Sequence, residues 1–390
     1  MQELLILLLP VAAASGWWAA RRSMQKEKER LAASGMDSDY FRGLNYLINE
    51  QPDKAIDVFV RMLEVNSETV EMHLALGGLF RRRGEVDRAI RIHQNLIARQ
   101  TLSADQRARA LLALASDYMS AGLLDRAEGL FEELVENRKL LKPALTNLKL
   151  IYQHEKDWSK SLEVSRRLEK LDDREQGRDQ AHFLCELAEA SLAEGDTGEA
   201  SKQLVQALKA DPRAFRPLLL QARIATDEER FDDAIALYEK IADAHPAFIG
   251  EFLEPMHAIF TRCDRQEDWF DWLREIYDRK KNLSVLLQIT SEIAERDGFA
   301  TATDYLTSEL SDAPKLAGVH RLIRMRMAQK GDHRSAFLAP IEQLLARLLR
   351  EQSAYQCHRC GFTTRTLHWQ CPGCRSWGSM LPRESSNRTS

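Results

Sequence analysis

A 34-residue period constrains this chain more than any other feature. The stretch "LCELAEASLAEGDTGEASKQLVQALKADP" (Leu184–Pro212) aligns without a gap on "LLLQARIATDEERFDDAIALYEKIADAHP" (Leu218–Pro246). Ala188 falls on Ala222, Ala200 on Ala234 and Pro212 on Pro246, each offset by 34 residues. Such a unit reads as two antiparallel helices. Small residues at its eighth and twentieth positions let the pair approach closely. Large residues at the fourth, seventh, eleventh and twenty-fourth fill the space between pairs, and the closing proline stops the second helix. The composition agrees: only 18 Gly and 11 Pro in 390 residues favour helix throughout.

A helix pair repeating every 34 residues is the tetratricopeptide repeat. Upstream, the pattern recurs at Gly43, Tyr46, Ala55 and Phe59, and then at Gly77, Phe80, Gly84 and Ala89. It returns at Ala115, Tyr118, Gly122, Ala127 and Phe131 after a four-residue insertion near Thr101–Asp105, and more weakly at Tyr152 and Ser161. Downstream of Pro246 the signature fades, though Ala302, Pro314, Gly331 and Ala336 keep phase. We therefore expect an all-α solenoid over residues 36–350. Its repeats lie near 36–69, 70–103, 108–141, 142–175, 181–214 and 215–248, with degenerate ones after them. First helices should line a groove suited to peptides or proteins. In the early repeats they present Tyr40, Leu44, Leu47, Leu74, Arg81, Leu112 and Met119 as candidate groove residues. Arg81 lies in the basic run "RRRGEVDRAIR", which reads first as a solvated face; the alternative is a patch for an acidic partner.

Four of the six cysteines stand in "YQCHRCGFTTRTLHWQCPGC". Cys357-x-x-Cys360 and Cys371-x-x-Cys374 are two knuckles that can close one tetrahedral four-sulfur metal site, iron or zinc. The intervening residues suit a short hairpin with aromatics packed on the cage. So small a domain needs the metal to fold. We place it at 355–380 and read 381–390 as a disordered tail. Of the other cysteines, Cys185 reads as a small core residue on a first helix, and Cys263, near a helix turn, gives no reason to be called reactive.

At the other end, Leu4–Ala20 carries no charge, and Arg21 and Arg22 follow directly. The run spans about 25 Å as a helix, close to a bilayer core. Trp17 and Trp18 sit at its far end, where indoles favour the headgroup region. A cleaved signal peptide would carry its cations before the apolar run, whereas here they come after it. The expectation is a transmembrane anchor over 1–20 with the body on the cytoplasmic side, joined by a charged linker over 21–35. The net charge of −4 gives no reason to expect nucleic acid. No HExxH, GxSxG or phosphate-cradling glycine loop is present, so the chain reads as a non-catalytic binding protein.

The segment "ELLILLLPVAAASGWW" followed by "RRS", the repeat "LFRRRGEVDRAIRIHQ" and the terminal cysteine knuckles together resemble the lipopolysaccharide assembly protein B family over nearly the whole chain. The resemblance implies a single-pass protein of the bacterial inner membrane with a cytoplasmic body and a rubredoxin-like domain docked on the repeats. Its implied metal ligands are Cys357, Cys360, Cys371 and Cys374. The implied role is an adaptor that regulates lipopolysaccharide synthesis by promoting proteolysis of LpxC by the membrane protease FtsH. A coordinating role among other lipopolysaccharide-synthesis proteins is also implied. The alternatives are a general assembly scaffold or a metal-dependent redox protein.

Overall fold

A computed structural model describes residues 70–171, 176–312, 314–328 and 335–383, together with positions 42, 45, 46, 54 and 58. The anchor segment, the linker and the candidate groove residues Tyr40, Leu44 and Leu47 lie outside the described residues, as does Gly331. Among the described residues, no helix is long and apolar enough to cross a membrane.

The chain forms two compact units, Met1–Glu155 and Lys156–Ser390. In the first, the described helices are α1 (Val70–Arg82), α2 (Val86–Ile97), α3 (Ala104–Ser120), α4 (Leu124–Glu136) and α5 (Leu141–Glu155). Ala89, Ala115 and Ala127 are wholly buried, as small residues at the helix-pair contact should be. Gly77 serves the same contact on α1: a Cβ there would come within 2.4 Å of the His93 ring on α2. The inserted residues before α3 contribute its start. Ser103 caps the helix, accepting from the Gln106 N–H while the Gln106 side chain accepts from the Ser103 N–H.

The second unit holds α6 (Trp158–Glu169), α7 (Gln176–Ala193), α8 (Thr197–Ala210), α9 (Phe215–Asp227) and α10 (Phe231–Ala244). A short 3₁₀ turn, Pro246–Glu251, precedes α11 (Leu253–Arg262), α12 (Gln266–Lys280), α13 (Leu283–Arg296), α14 (Phe299–Asp312), α15 (Leu316–Ala328) and α16 (Ser335–Glu351). The in-phase alanines Ala188, Ala200, Ala222 and Ala234 are all wholly buried.

Six described turns inside helix pairs repeat a backbone signature: Gly84, Gly122, Gly195, Glu229, Asp264 and Gly298 all have positive φ. A left-handed residue there reverses the chain between first and second helix. The signature persists after Pro246, where the sequence motif fades. The turn at Asp264 falls 35 residues after Glu229, one more than the period. The register therefore slips by one. Trp269 takes the place of the expected small residue on α12, and Thr303 takes it on α14 beside the equally buried Ala302.

The chain ends in a three-stranded antiparallel sheet of order β2-β1-β3. Its strands are β1 (Tyr355–Cys357), β2 (Thr363–Thr364) and β3 (Met380–Pro382). β3 carries the domain through Pro382, so Leu381 and Pro382 belong to the sheet and not to the tail expected from 381 onward.

Candidate metal centre

Two similar turns build the cage. In the first, Gly361 N–H donates to Cys357 O at 2.9 Å, and Cys357 N–H donates to Phe362 O at 2.8 Å. In the second, Arg375 N–H donates to Cys371 O at 2.8 Å, and Cys371 N–H donates to Ser376 O at 2.9 Å. The residue after each knuckle is left-handed, Gly361 at φ 78° and Arg375 at φ 55°. Glycine meets that need at no steric cost, whereas Arg375 does so under strain.

The four thiol sulfurs all lie within 4.8 Å of one another. Cys357 Sγ is 3.7 Å from Cys374 Sγ, and Cys360 Sγ is 3.7 Å from Cys371 Sγ. A tetrahedral ion with metal–sulfur bonds of about 2.3 Å sets sulfur separations of about 3.8 Å. The donor set therefore fits one ion, and thiolates suit iron and zinc alike. Cys357 and Cys371 are buried, while Cys360 is exposed.

The surroundings favour thiolate on two of the four. Burial is the largest influence on Cys357 and opposes its ionisation. It is outweighed by hydrogen bonding to the Ser379 hydroxyl and to the backbone of Cys360 and Arg359, so the thiol is lowered to about 6. The side chain and backbone of Ser376 lower Cys374. The Ser379 and Ser376 hydroxyls each lie 3.3 Å from their sulfur. At Cys360, the hydrogen bond with the Phe362 backbone favours ionisation but is outweighed by burial and the other three thiols, which push it up to about 12. Four thiolates this close repel one another, and a bound cation is what lets all four ionise together.

Of the aromatics expected on the cage, Phe362 lies against Gly373 of the second knuckle, and Tyr355 is also buried with Cys357 and Cys371. Trp369 and Trp377 instead dock the domain on the helices of its own unit. Trp377, 5% exposed, stacks on His182 of α7 with ring centres 5.0 Å apart. It meets Phe183 and Trp158 edge-on at 5.9 and 5.8 Å. Trp369 lies against Phe215 of α9, and Arg216 sits 5.3 Å over its ring. Arg216, only 2% exposed, is held by Glu186 at 2.8 Å and Glu189 at 3.0 Å. The Tyr355 hydroxyl donates to Glu251 in the 3₁₀ turn. Phe362 stays on the surface, beside Gly373. Nothing in the cysteine spacing foretold Ser376, Ser379, His182 or Arg216. The resemblance implied a docked domain, but not which residues make the docked face.

The candidate groove residues that are described fall into two sorts. Leu74 packs against the buried Val70, Leu96 and Ala110, while Leu112 and Met119 are half-buried on α3. Arg81 is no solvated cation. Its Nη1 donates to Asp117 Oδ1 at 2.7 Å and to Ala113 O at 3.2 Å. Asp117 is wholly buried and also bonds His93 Nδ1 at 2.5 Å. The charge of Arg81 is thus engaged inside the protein.

A helical-repeat body carrying a docked four-cysteine knuckle domain defines a tetratricopeptide protein with a rubredoxin-type metal-binding module. Profile comparison agrees: the family described as "Rubredoxin metal binding domain" matches residues 355–382, and the one described as "Tetratricopeptide repeat" matches 42–101 and 185–247. The lipopolysaccharide assembly protein B of Escherichia coli K12 is 36% identical over 92% of this chain and 92% of its own. That of Haemophilus influenzae is 33% identical over 92% of this chain and 93% of its own. The chain belongs to the lipopolysaccharide assembly protein B family. Among solved structures, Pseudomonas aeruginosa pilF is 19% identical over 57% of this chain and 98% of its own, at a TM-score of 0.34.

Proposed function

We propose that this chain is a membrane-tethered, non-catalytic adaptor that regulates lipopolysaccharide synthesis by bringing LpxC to the protease FtsH. Family membership across both the repeats and the knuckle domain carries the reading. Cys357, Cys360, Cys371 and Cys374 bind one iron or zinc ion, and four sulfurs around one ion leave no position for a substrate. The metal therefore shapes the docked domain and does no chemistry. The apolar run at Leu4–Ala20 anchors the protein once in the inner membrane with its body in the cytoplasm. The anchor raises the adaptor's effective concentration beside a membrane protease. In this reading the helical groove holds the client and other lipopolysaccharide-synthesis proteins.

The test is the lifetime of LpxC in cells depleted of this protein. Full-length protein should shorten that lifetime in an FtsH-dependent way, and a chain starting at residue 21 should not. An LpxC lifetime that ignores depletion would overturn the proteolytic role and leave a plain assembly scaffold.

A further inference from the structure

Arg216 is buried and Arg81 half-buried, and both have carboxylate partners. Arg81 has Asp117, and Arg216 has Glu186 and Glu189. Arg321 of α15 has none among the described residues. Its Nη2 donates to Ser291 Oγ of α13 at 2.7 Å, and its buried Nε meets no acceptor. Burial first, and then the neighbouring Arg324, lower its pKa. Arg321 is half-buried with its Nε enclosed, and an enclosed charged donor without an acceptor is costly, which an arriving anion would relieve.

The geometry around it is a receiving site. A cavity of about 300 Å³ opens beside Arg321, lined also by Ser291, Glu295, Phe299, Arg324 and Met325. α13 and α15 are first helices of successive pairs, the elements that line the groove of such an array. Arg324 is exposed at the rim, and Phe299 is 43% exposed. Two guanidinium groups against the single carboxylate of Glu295 leave one positive charge. That matches one side-chain carboxylate better than a phosphate dianion, and the open phenyl ring matches an apolar neighbour.

We infer that Arg321 and Arg324 receive an acidic segment of a protein partner, with a carboxylate on the free edge of the Arg321 fork and an adjacent apolar side chain on Phe299. The planar fork suits a carboxylate, and Ser291 holds it in orientation. The inference rests on the adaptor reading only in supposing a protein client, not in which client it is.

The test uses purified full-length protein and a fluorescein-labelled peptide of alternating leucine and aspartate. Saturable binding is expected, with the asparagine counterpart at least about tenfold weaker, the scale of a charge-assisted hydrogen bond. Arg321→Gln should weaken the aspartate peptide by a similar factor. So should Arg324→Glu, which changes a rim residue and leaves the packing alone. Equal binding of both peptides, or unchanged binding in both variants, would overturn the site. Inorganic phosphate that competes at fixed ionic strength, with no preference for aspartate, would make it a phosphate site and reject the peptide. The assay contains neither LpxC nor FtsH. A peptide site that holds while LpxC lifetime ignores Arg321→Gln would therefore reject LpxC as its occupant and keep the site.

Discussion

His182 shows how a single residue sets the conditions under which the metal domain stays docked. It is buried between Trp377 and its own helix, and its Nδ1 finds no partner. Burial, followed by the charges of Arg216 and Arg178, lowers its pKa from 6.5 to about 3. Above about pH 6.5 the imidazole is neutral whether docked or free, and docking carries no protonation cost. Between about 6.5 and 3 the released ring takes a proton that the docked ring refuses. Docking therefore weakens as pH falls through that window, by at most about 1.4 kcal/mol per pH unit from this one group. Measured as pH-dependent tryptophan emission, His182→Gln should flatten the slope relative to the parent protein. An unchanged slope would assign the acid sensitivity to other groups. Neither this role nor that of Arg81 could be seen in the chain. Asp117, which takes up the Arg81 charge, stands 36 residues away, and the basic run around Arg81 conceals the pairing.

At the scale of the element, legibility followed the small residues. Where Ala or Gly marks the contact of a helix pair, as at Gly77, Ala89, Ala200 and Ala234, the pair could be placed from sequence. After Pro246 it could not, because Trp269 occupies the small-residue position and a one-residue slip moves Thr303 into phase. The turn survives there through backbone conformation alone, at the left-handed Asp264 and Gly298. Adjacent glycines on α1 give this a sharp test. Ala at Gly78 meets nothing within 4 Å and should stabilise the protein by about 0.5–1 kcal/mol through helix propensity. Ala at Gly77 would drive its Cβ into the buried His93 ring, which Asp117 holds in place, and should cost about 1–3 kcal/mol. Thermal unfolding of the two variants should shift in opposite directions. A stabilised Gly77→Ala would mean that α1 and α2 can separate and that the close contact is not required.

At the scale of the whole molecule, the four ligands were readable because a CxxC knuckle carries its geometry in its spacing. The docking face was not, because Trp369 and Trp377 find Phe215 and His182 only once the chain has folded. The two layers respond differently to loss of the ion. Cys357→Ser or Cys371→Ser should abolish metal binding, since a hydroxyl replaces a thiolate poorly. The short sheet β2-β1-β3 has little core of its own, Tyr355, Cys357, Cys371 and Met380, so it should unfold with the ion gone. The helices should persist, because each pair is buried chiefly by its neighbours. The expected result is near-normal helical circular dichroism, with emission from Trp369 and Trp377 shifted toward that of exposed indole. The Trp158–Phe183 contact beneath Trp377 would be newly open to solvent, and the Arg216 guanidinium would lose its ring. A chelator on the parent protein should reproduce the change and added metal should reverse it. Metal loss that leaves the tryptophan emission where it was would show that the domain holds its fold and its seat on the helices without the ion.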